Sequence, residues 1–124
     1  MKKIIAHRGV FNNINIPENS IKAFHEAVKL KIDVEYDIQL TKDNILVVFH
    51  DDNLLRMTGV NKKIEDCTYD EIKNLKLLNT DNNIPTLEEV LKTINNKVFM
   101  DIEIKNTKRY KVLCNLLIEK LNKY

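Results

Sequence analysis

Residues 31–52 read KIDVEYDIQLTKDNILVVFHDD. From Asp33 to Leu40 the sequence alternates strictly: Val34, Tyr36, Ile38 and Leu40 against Asp33, Glu35, Asp37 and Gln39. Successive side chains of a strand point to opposite faces, so this stretch predicts a strand with one apolar and one polar face. Glu35 and Asp37 then project the same way, their Cβ atoms roughly 6–7 Å apart at a rise of ~3.3 Å per residue. Two carboxylates so placed suit a hard divalent cation such as Ca²⁺ or Mg²⁺. A polar turn, Thr41-Lys42-Asp43-Asn44, leads into the unbroken apolar run Ile45-Leu46-Val47-Val48-Phe49, which ends in His50-Asp51. A buried strand ending in an imidazole places a proton-transfer group on a rigid element. Taken alone, the alternating stretch more often reads as a solvated sheet face, and His50 as a loop histidine. The rest of the chain decides between these readings.

With 124 residues the chain is expected to form one domain, 1–124, able to bury a core. Its 44% hydrophobic and 31% charged residues, with two Gly and two Pro, place it among globular proteins. The net charge of +2 comes from interspersed charges, which argues against a nucleic-acid footprint; that partner would need a clustered basic face. Few aromatics and no Trp offer no stacking ladder for single strands. Cys67 and Cys114 match no metal or redox spacing, and read as reduced packing residues of a cytosolic protein. The apolar run at residues 4–6 is too short for a signal peptide, and no stretch approaches the ~20 apolar residues of a membrane span. The cytoplasm is the expected location.

Residues 3–6 predict a short buried strand running into His7-Arg8-Gly9. Pro17-Glu18-Asn19-Ser20 is a helix-start signal with Asn19 or Ser20 as cap. Ile21, Phe24, Ala27 and Val28 follow at helical spacing, leaving His25 on the solvated side. Thr68-Tyr69-Asp70-Glu71 and Thr86-Leu87-Glu88-Glu89 are capping boxes that start two further helices. Residues 97–104 predict a strand that puts Glu103 on one face with Lys105. Residues 108–122 predict a helix burying Val112, Leu113, Leu116, Leu117 and Leu121.

Strands alternating with helices predict an α/β fold with parallel strands. Acidic residues on such a strand need a special place, because sheets covered on both faces are normally apolar. The mouth of a TIM-type (β/α) barrel is one, since its catalytic groups come from the C-terminal ends of several strands. Glu35, Asp37 and Glu103 would form an oxygen-rich divalent-metal site. His7 and His50 could serve as general acid and general base, and Arg8 and Lys105 could bind an anionic group. Together these describe phosphodiester cleavage. Each residue also has a plainer reading: Arg8 as a surface cation, and Glu103 with Lys105 as a pair on an exposed strand. Lys42 and Arg56 read as structural or solvated. Asp51 either caps the turn after His50 or orients an imidazole.

The motifs His7-Arg8-Gly9, Pro17-Glu18-Asn19-Ser20, Glu35-x-Asp37 with Gln39-Leu40-Thr41-Lys42-Asp43, and Val47-Val48-Phe49-His50-Asp51 stand in this order. Leu55-Arg56-Met57-Thr58-Gly59, Ile84-Pro85-Thr86-Leu87-Glu88-Glu89 and Ile102-Glu103-Ile104-Lys105 follow. Seven motifs in succession resemble the N-terminal half of the glycerophosphodiester phosphodiesterase family. The resemblance implies a barrel, an acid–base pair in His7 and His50, a metal on Glu35, Asp37 and Glu103, and a phosphate near Arg8 and Lys105. It also implies release of sn-glycerol 3-phosphate and an alcohol, hence a place in lipid and glycerol metabolism. The family's usual small residues and Gly before the Glu-x-Asp strand are here Leu30-Lys31-Ile32, and its usual Gly after Thr-Lys-Asp is Asn44. A complete barrel of this kind takes about 250 residues and eight strands, so roughly four strand–helix units, about half a barrel, are expected here. A truncated product, a homo-oligomer or a complementing second half-barrel, and a degenerate copy are the accounts that follow. The competing functions are a related phospholipase acting on lipid, and an inactive half-barrel that binds metal, phosphate or a partner chain without turnover.

Overall fold

The structure, a computed structural model, describes residues 3–124. Four strands form in the expected order: β1 (Ile5–His7), β2 (Asp33–Leu40), β3 (Leu46–Val48) and β4 (Met100–Ile104). The helices are α1 (Ile21–Lys29), α2 (Leu55–Thr58), α3 (Tyr69–Ile72), α4 (Leu87–Ile94) and α5 (Tyr110–Leu121). β1 and β4 lie on opposite edges of β2 and run parallel to it. β3 pairs antiparallel with the far end of β2, Ile38 to Leu40, on the edge shared with β1. Its direction follows from the Thr41-Asn44 connection, which is too short for the crossover a parallel neighbour needs. Asn44 turns that hairpin at φ 63°, a conformation Asn tolerates better than most side chains.

The strict alternation of β2 is used on both faces. Val34, Tyr36, Ile38 and Leu40 are buried against Phe24 and Ala27 of α1, Leu87, Val90, Leu91 and Ile94 of α4, and Leu113 of α5. Phe24 meets Tyr36 edge to face at 5.3 Å, and each large side chain buried here contributes about 1.5–3 kcal/mol. β3 is apolar throughout because it faces two cores. Leu46 and Val48 join the cluster behind the sheet, whereas Val47 packs into a second cluster with Phe49, Leu54, Met57, Ile64 and Ile72. That second cluster organises the irregular segment between β3 and α4.

The helix starts are those the caps specify. Ser20, not Asn19, caps α1 by accepting from the N–H of Ala23. Thr68 and Thr86 form reciprocal capping boxes with Glu71 and Glu89, although the first serves only one helical turn. In α5, Leu113 is buried and Leu116, Leu117 and Leu121 pack against the core. Val112 corrects the expectation: it is exposed, because it falls outside the stripe that Leu113 and Leu117 turn toward the sheet. Cys67 is buried and Cys114 half-buried, and both are unpaired. Among the described residues no helix is long and apolar enough to cross a membrane.

Candidate active site

β1 ends one residue later than the sequence suggests, which brings His7 into the strand opposite Glu35. Asp37 lies opposite Glu103 of β4. Parallel strands in register present partners to the same face, so His7, Glu35, Asp37 and Glu103 share the face that the helices leave uncovered.

Glu35, Asp37 and Glu103 each offer a carboxylate oxygen, and these lie within 4.8 Å of one another. Asp37 is fully buried and Glu35 nearly so, while Glu103 is exposed. Burial, then the neighbouring charge of Asp37 and contacts with Glu103, pushes the Glu35 carboxyl up to about 7. Asp37 Oδ1 and the side-chain oxygen of Asn19 are both buried without a hydrogen-bond partner among the described residues. Unsatisfied oxygens beside crowded carboxylates fit a bound cation, and the all-oxygen donor set suits Ca²⁺ or Mg²⁺.

The turn after β1 brings Arg8 to this cluster. Arg8 and Gly9 both adopt positive φ, 60° and 79°. The Arg8 N–H donates to the Glu35 carbonyl at 2.8 Å, and Gly9 donates to the carbonyl of Ala6. A Cβ on Gly9 would stand 2.8 Å from the Cβ of Ala23, so only glycine permits α1 to pass this close. Arg8 Nε is buried without a hydrogen-bond partner among the described residues and lies 4.0 Å from Asp37 Oδ2. His7 Nε2 is 3.8 Å from Glu35 Oε1, with its side chain 64% exposed. Lys105 Nζ is 4.0 Å from Glu103 Oε1, and its N–H donates to the Ile38 carbonyl.

His50 arrives by the hairpin rather than by a parallel strand. The Phe49 N–H donates to the Asp37 carbonyl, which sets His50 beside the carboxylate level of β2. Gln39 Nε2 ties the turn down by donating to the carbonyls of Phe49 and Asp51. His50 Nδ1 is 2.8 Å from Asp51 Oδ1, so Asp51 orients an imidazole. Chiefly through its hydrogen bond from Arg56, the Asp51 carboxyl is held down at about 2.

Sequence reasoning missed Glu18 and Asn19 as parts of this site. Both were absorbed into the helix-start signal, yet once Ser20 takes the cap Asn19 is free to donate to Asp37 Oδ2 at 3.2 Å. Glu18 is 3% exposed and accepts from Arg8, Arg56 and Asn13. Burial works against its charge, but hydrogen bonds from Arg56 and Asn13 prevail and hold its carboxyl below the usual range. Arg56 pairs with both Glu18 and Asp51, and Lys42 is exposed. The signal for Glu18 was a carboxylate in a turn that packs against Arg8.

A partial (β/α) barrel with an acidic cluster on its inner face and histidines beside it is a frame for phosphoryl chemistry. The chain belongs to the glycerophosphoryl diester phosphodiesterase family, whose model matches residues 7–124. It is 43% identical over 111 residues to a glycerophosphodiester phosphodiesterase of Caldanaerobacter subterraneus subsp. tengcongensis, covering 83% of this chain and 45% of that relative. It is 36% identical over 136 residues to a lysophospholipase D of Homo sapiens, covering 98% of this chain and 40% of the other. The solved structure of an Oleispira antarctica phosphodiesterase in complex with the product sn-glycerol-3-phosphate aligns with a TM-score of 0.87 at 30% identity. That alignment covers 98% of this chain and 52% of the other. The chain thus spans about half the length of the curated relatives it matches.

Proposed function

We propose that this chain, as one partial domain over residues 1–124, carries the metal-binding and acid–base half of a glycerophosphodiester phosphodiesterase. The reaction is hydrolysis of a glycerophosphodiester to sn-glycerol 3-phosphate and an alcohol. One observation carries the reading: Glu35, Asp37 and Glu103 converge within 4.8 Å around an unsatisfied Asp37 oxygen, with His7 and Arg8 beside them. Glu35, Asp37 and Glu103 would hold Ca²⁺ or Mg²⁺, which would supply charge neutralisation at the phosphoryl oxygens.

The chain's own groups do the rest. The Arg8 guanidinium and the Lys105 ammonium hold the anionic phosphate. Of His7 and His50, one takes the proton of the attacking oxygen and the other protonates the departing alkoxide, a division worth about 10²–10⁴-fold in rate for each group. The relatives' names include both a glycerophosphodiester phosphodiesterase and a lysophospholipase D. The uncovered face is polar, which favours the water-soluble glycerophosphodiester over a lipid. Two unpaired cysteines support work in the reducing cytoplasm.

A second reading has its own observation. Among the described residues the outer edges of β1 and β4 have no strand partner, and Ile4, Ile5, Phe99 and Ile104 are exposed near them. Such edges favour closure by further strands, from a second copy or another polypeptide, without which the chain binds metal or phosphate but does not turn over.

Glycerol 3-phosphate release from a glycerophosphodiester, with Ca²⁺ or Mg²⁺ and with chelator, separates the two readings when run at low and high protein concentration. The first expects metal-dependent turnover that His7→Ala and His50→Ala abolish while the circular dichroism spectrum persists. The second expects turnover only on association, or none. Metal-independent turnover overturns the role given to the cation, and turnover that survives both substitutions overturns the acid–base roles of His7 and His50.

A further inference from the structure

Glu18 is the most completely satisfied carboxylate of the site, and it ligates nothing. Its Oε1 accepts from Asn13 Nδ2 and Arg56 Nη1, both at 2.9 Å. Its Oε2 accepts from Arg8 Nη1 at 3.0 Å and Arg56 Nη2 at 2.8 Å. The pair with Arg56 is a two-bond fork, the geometry only a planar guanidinium provides. The other edge of the same guanidinium repeats the arrangement on Asp51: Nε to Oδ2 at 2.8 Å and Nη2 to Oδ1 at 3.0 Å. Asp51 Oδ1 in turn meets His50 Nδ1 at 2.8 Å. A rigid chain, Glu18–Arg56–Asp51–His50, therefore runs from a buried anchor to an imidazole.

We propose that Arg56 is a positioning residue for His50, locking Asp51 against the Nδ1 edge of the ring while Glu18 anchors Arg56 from the buried side. An ionised carboxylate only accepts hydrogen bonds, so Asp51 selects the His50 tautomer protonated on Nδ1 and leaves Nε2 with its lone pair free. Without Arg56 the Asp51 carboxylate keeps its charge but loses its two-point fixation. The ring then samples other orientations and the other tautomer.

Magnitude separates this role from a structural one. The Arg56–Asp51 pair is part-exposed, 46% and 25% on the two side chains, and ion pairs of that kind add little stability. What two opposed forks impose is geometry. Arg8 hangs on the same Glu18 oxygen, so the anchor also sets the imidazole relative to the guanidinium that faces Asp37. The catalytic consequence rests on the phosphodiesterase reading above; the tautomer consequence does not.

The test is ¹⁵N NMR of the His50 ring in the full chain at pH 8, compared among wild type, Arg56→Lys and Arg56→Ala. Arg56→Lys keeps a cation beside Glu18 and is the variant that decides if Arg56→Ala fails to fold. Wild type is expected to show a protonated Nδ1 and an unprotonated Nε2. Arg56→Lys is expected to show averaged tautomers, with an unchanged circular dichroism spectrum. Where the chain turns over, kcat is expected to fall tenfold or more at nearly constant KM. An Nδ1–H tautomer that persists unchanged in Arg56→Lys overturns the proposal. If instead the tautomer shifts but His50→Ala leaves turnover intact, positioning stands and the phosphodiesterase role of His50 is what fails.

Discussion

Phe49 donates its backbone N–H to the carbonyl of Asp37 at 3.0 Å. That bond closes the β2–β3 hairpin at the height of the acidic cluster, so the residue after Phe49 comes back to the residues that precede the turn. His50 is thirteen positions from Asp37 and fifteen from Glu35 in the chain, yet one hairpin brings its backbone back alongside their strand. The tight turn at residues 41–44 is therefore part of the site's construction.

The crowding of the carboxylates predicts how the fold responds to pH and cation. Glu35 titrates near 7 in the folded chain, above its ordinary value of 4.5. The folded state thus binds this proton more tightly than the unfolded state, and stability falls as pH rises from about 4.5 to 7. With chelator present, the unfolding midpoint is expected to drop between pH 5 and pH 8, and Glu35→Gln is expected to flatten that drop. Adding Ca²⁺ or Mg²⁺ at pH 8 should restore the midpoint in wild type and not in Asp37→Asn, which differential scanning calorimetry reads directly.

Asp51 behaves oppositely. Its carboxyl sits at about 2, chiefly because of Arg56 and then His50, below the ordinary 3.8. Its contribution is present above about pH 4 and is lost as pH falls toward 2. Allowing for solvent screening of the half-exposed Arg56, the loss is about 1 kcal/mol. Urea denaturation of wild type and Asp51→Asn at pH 6 and pH 2.5 is expected to show the difference at pH 6 and a much smaller one at pH 2.5.

Gly9→Ala is expected to cost about 2–3 kcal/mol, from a positive φ and from overpacking against α1. The new Cβ would lie 2.8 Å from the Ala23 Cβ and 3.0 Å from its carbonyl carbon, so backbone as well as side chain has to move. Because Arg8 precedes it, cation affinity measured by isothermal titration should weaken alongside stability.

Lys31→Gly should do the reverse. Lys31 is exposed and held at φ 58° immediately before β2, where the left-handed conformation costs a side chain about 1–2 kcal/mol. Glycine removes that strain but returns part of it as unfolded-state entropy. A net stabilisation of about 0.5–1 kcal/mol is expected in urea denaturation, with no change in cation binding.

Much of this architecture was legible along the chain because it is periodic or local. The alternation at residues 33–40 follows from the two-residue repeat of a strand, and the capping boxes at Thr68 and Thr86 from bonds that close within three residues. The acidic face was legible too, since Glu35 and Asp37 are neighbours on one strand. Glu103 could be added by the same repeat, and its arrival opposite Asp37 required only that β4 pair in register with β2. The role of Asp51 stayed open until its distance to His50 was known. Val112 was misplaced because an apolar residue in a helix need not lie on the stripe that faces the sheet.

Glu18, Asn19 and Arg56 belong to the other kind. Glu18 lies thirty-eight positions from Arg56 and reads locally as the start of a helix. Only the packing of α1 against the turn at Gly9, and of the second core beneath β3, brings the two guanidiniums onto one carboxylate. Strand and helix periods are written into neighbouring residues by backbone geometry. Which distant charges share a buried site is decided by how the elements pack, because desolvation makes a charge acceptable there only where its partners converge.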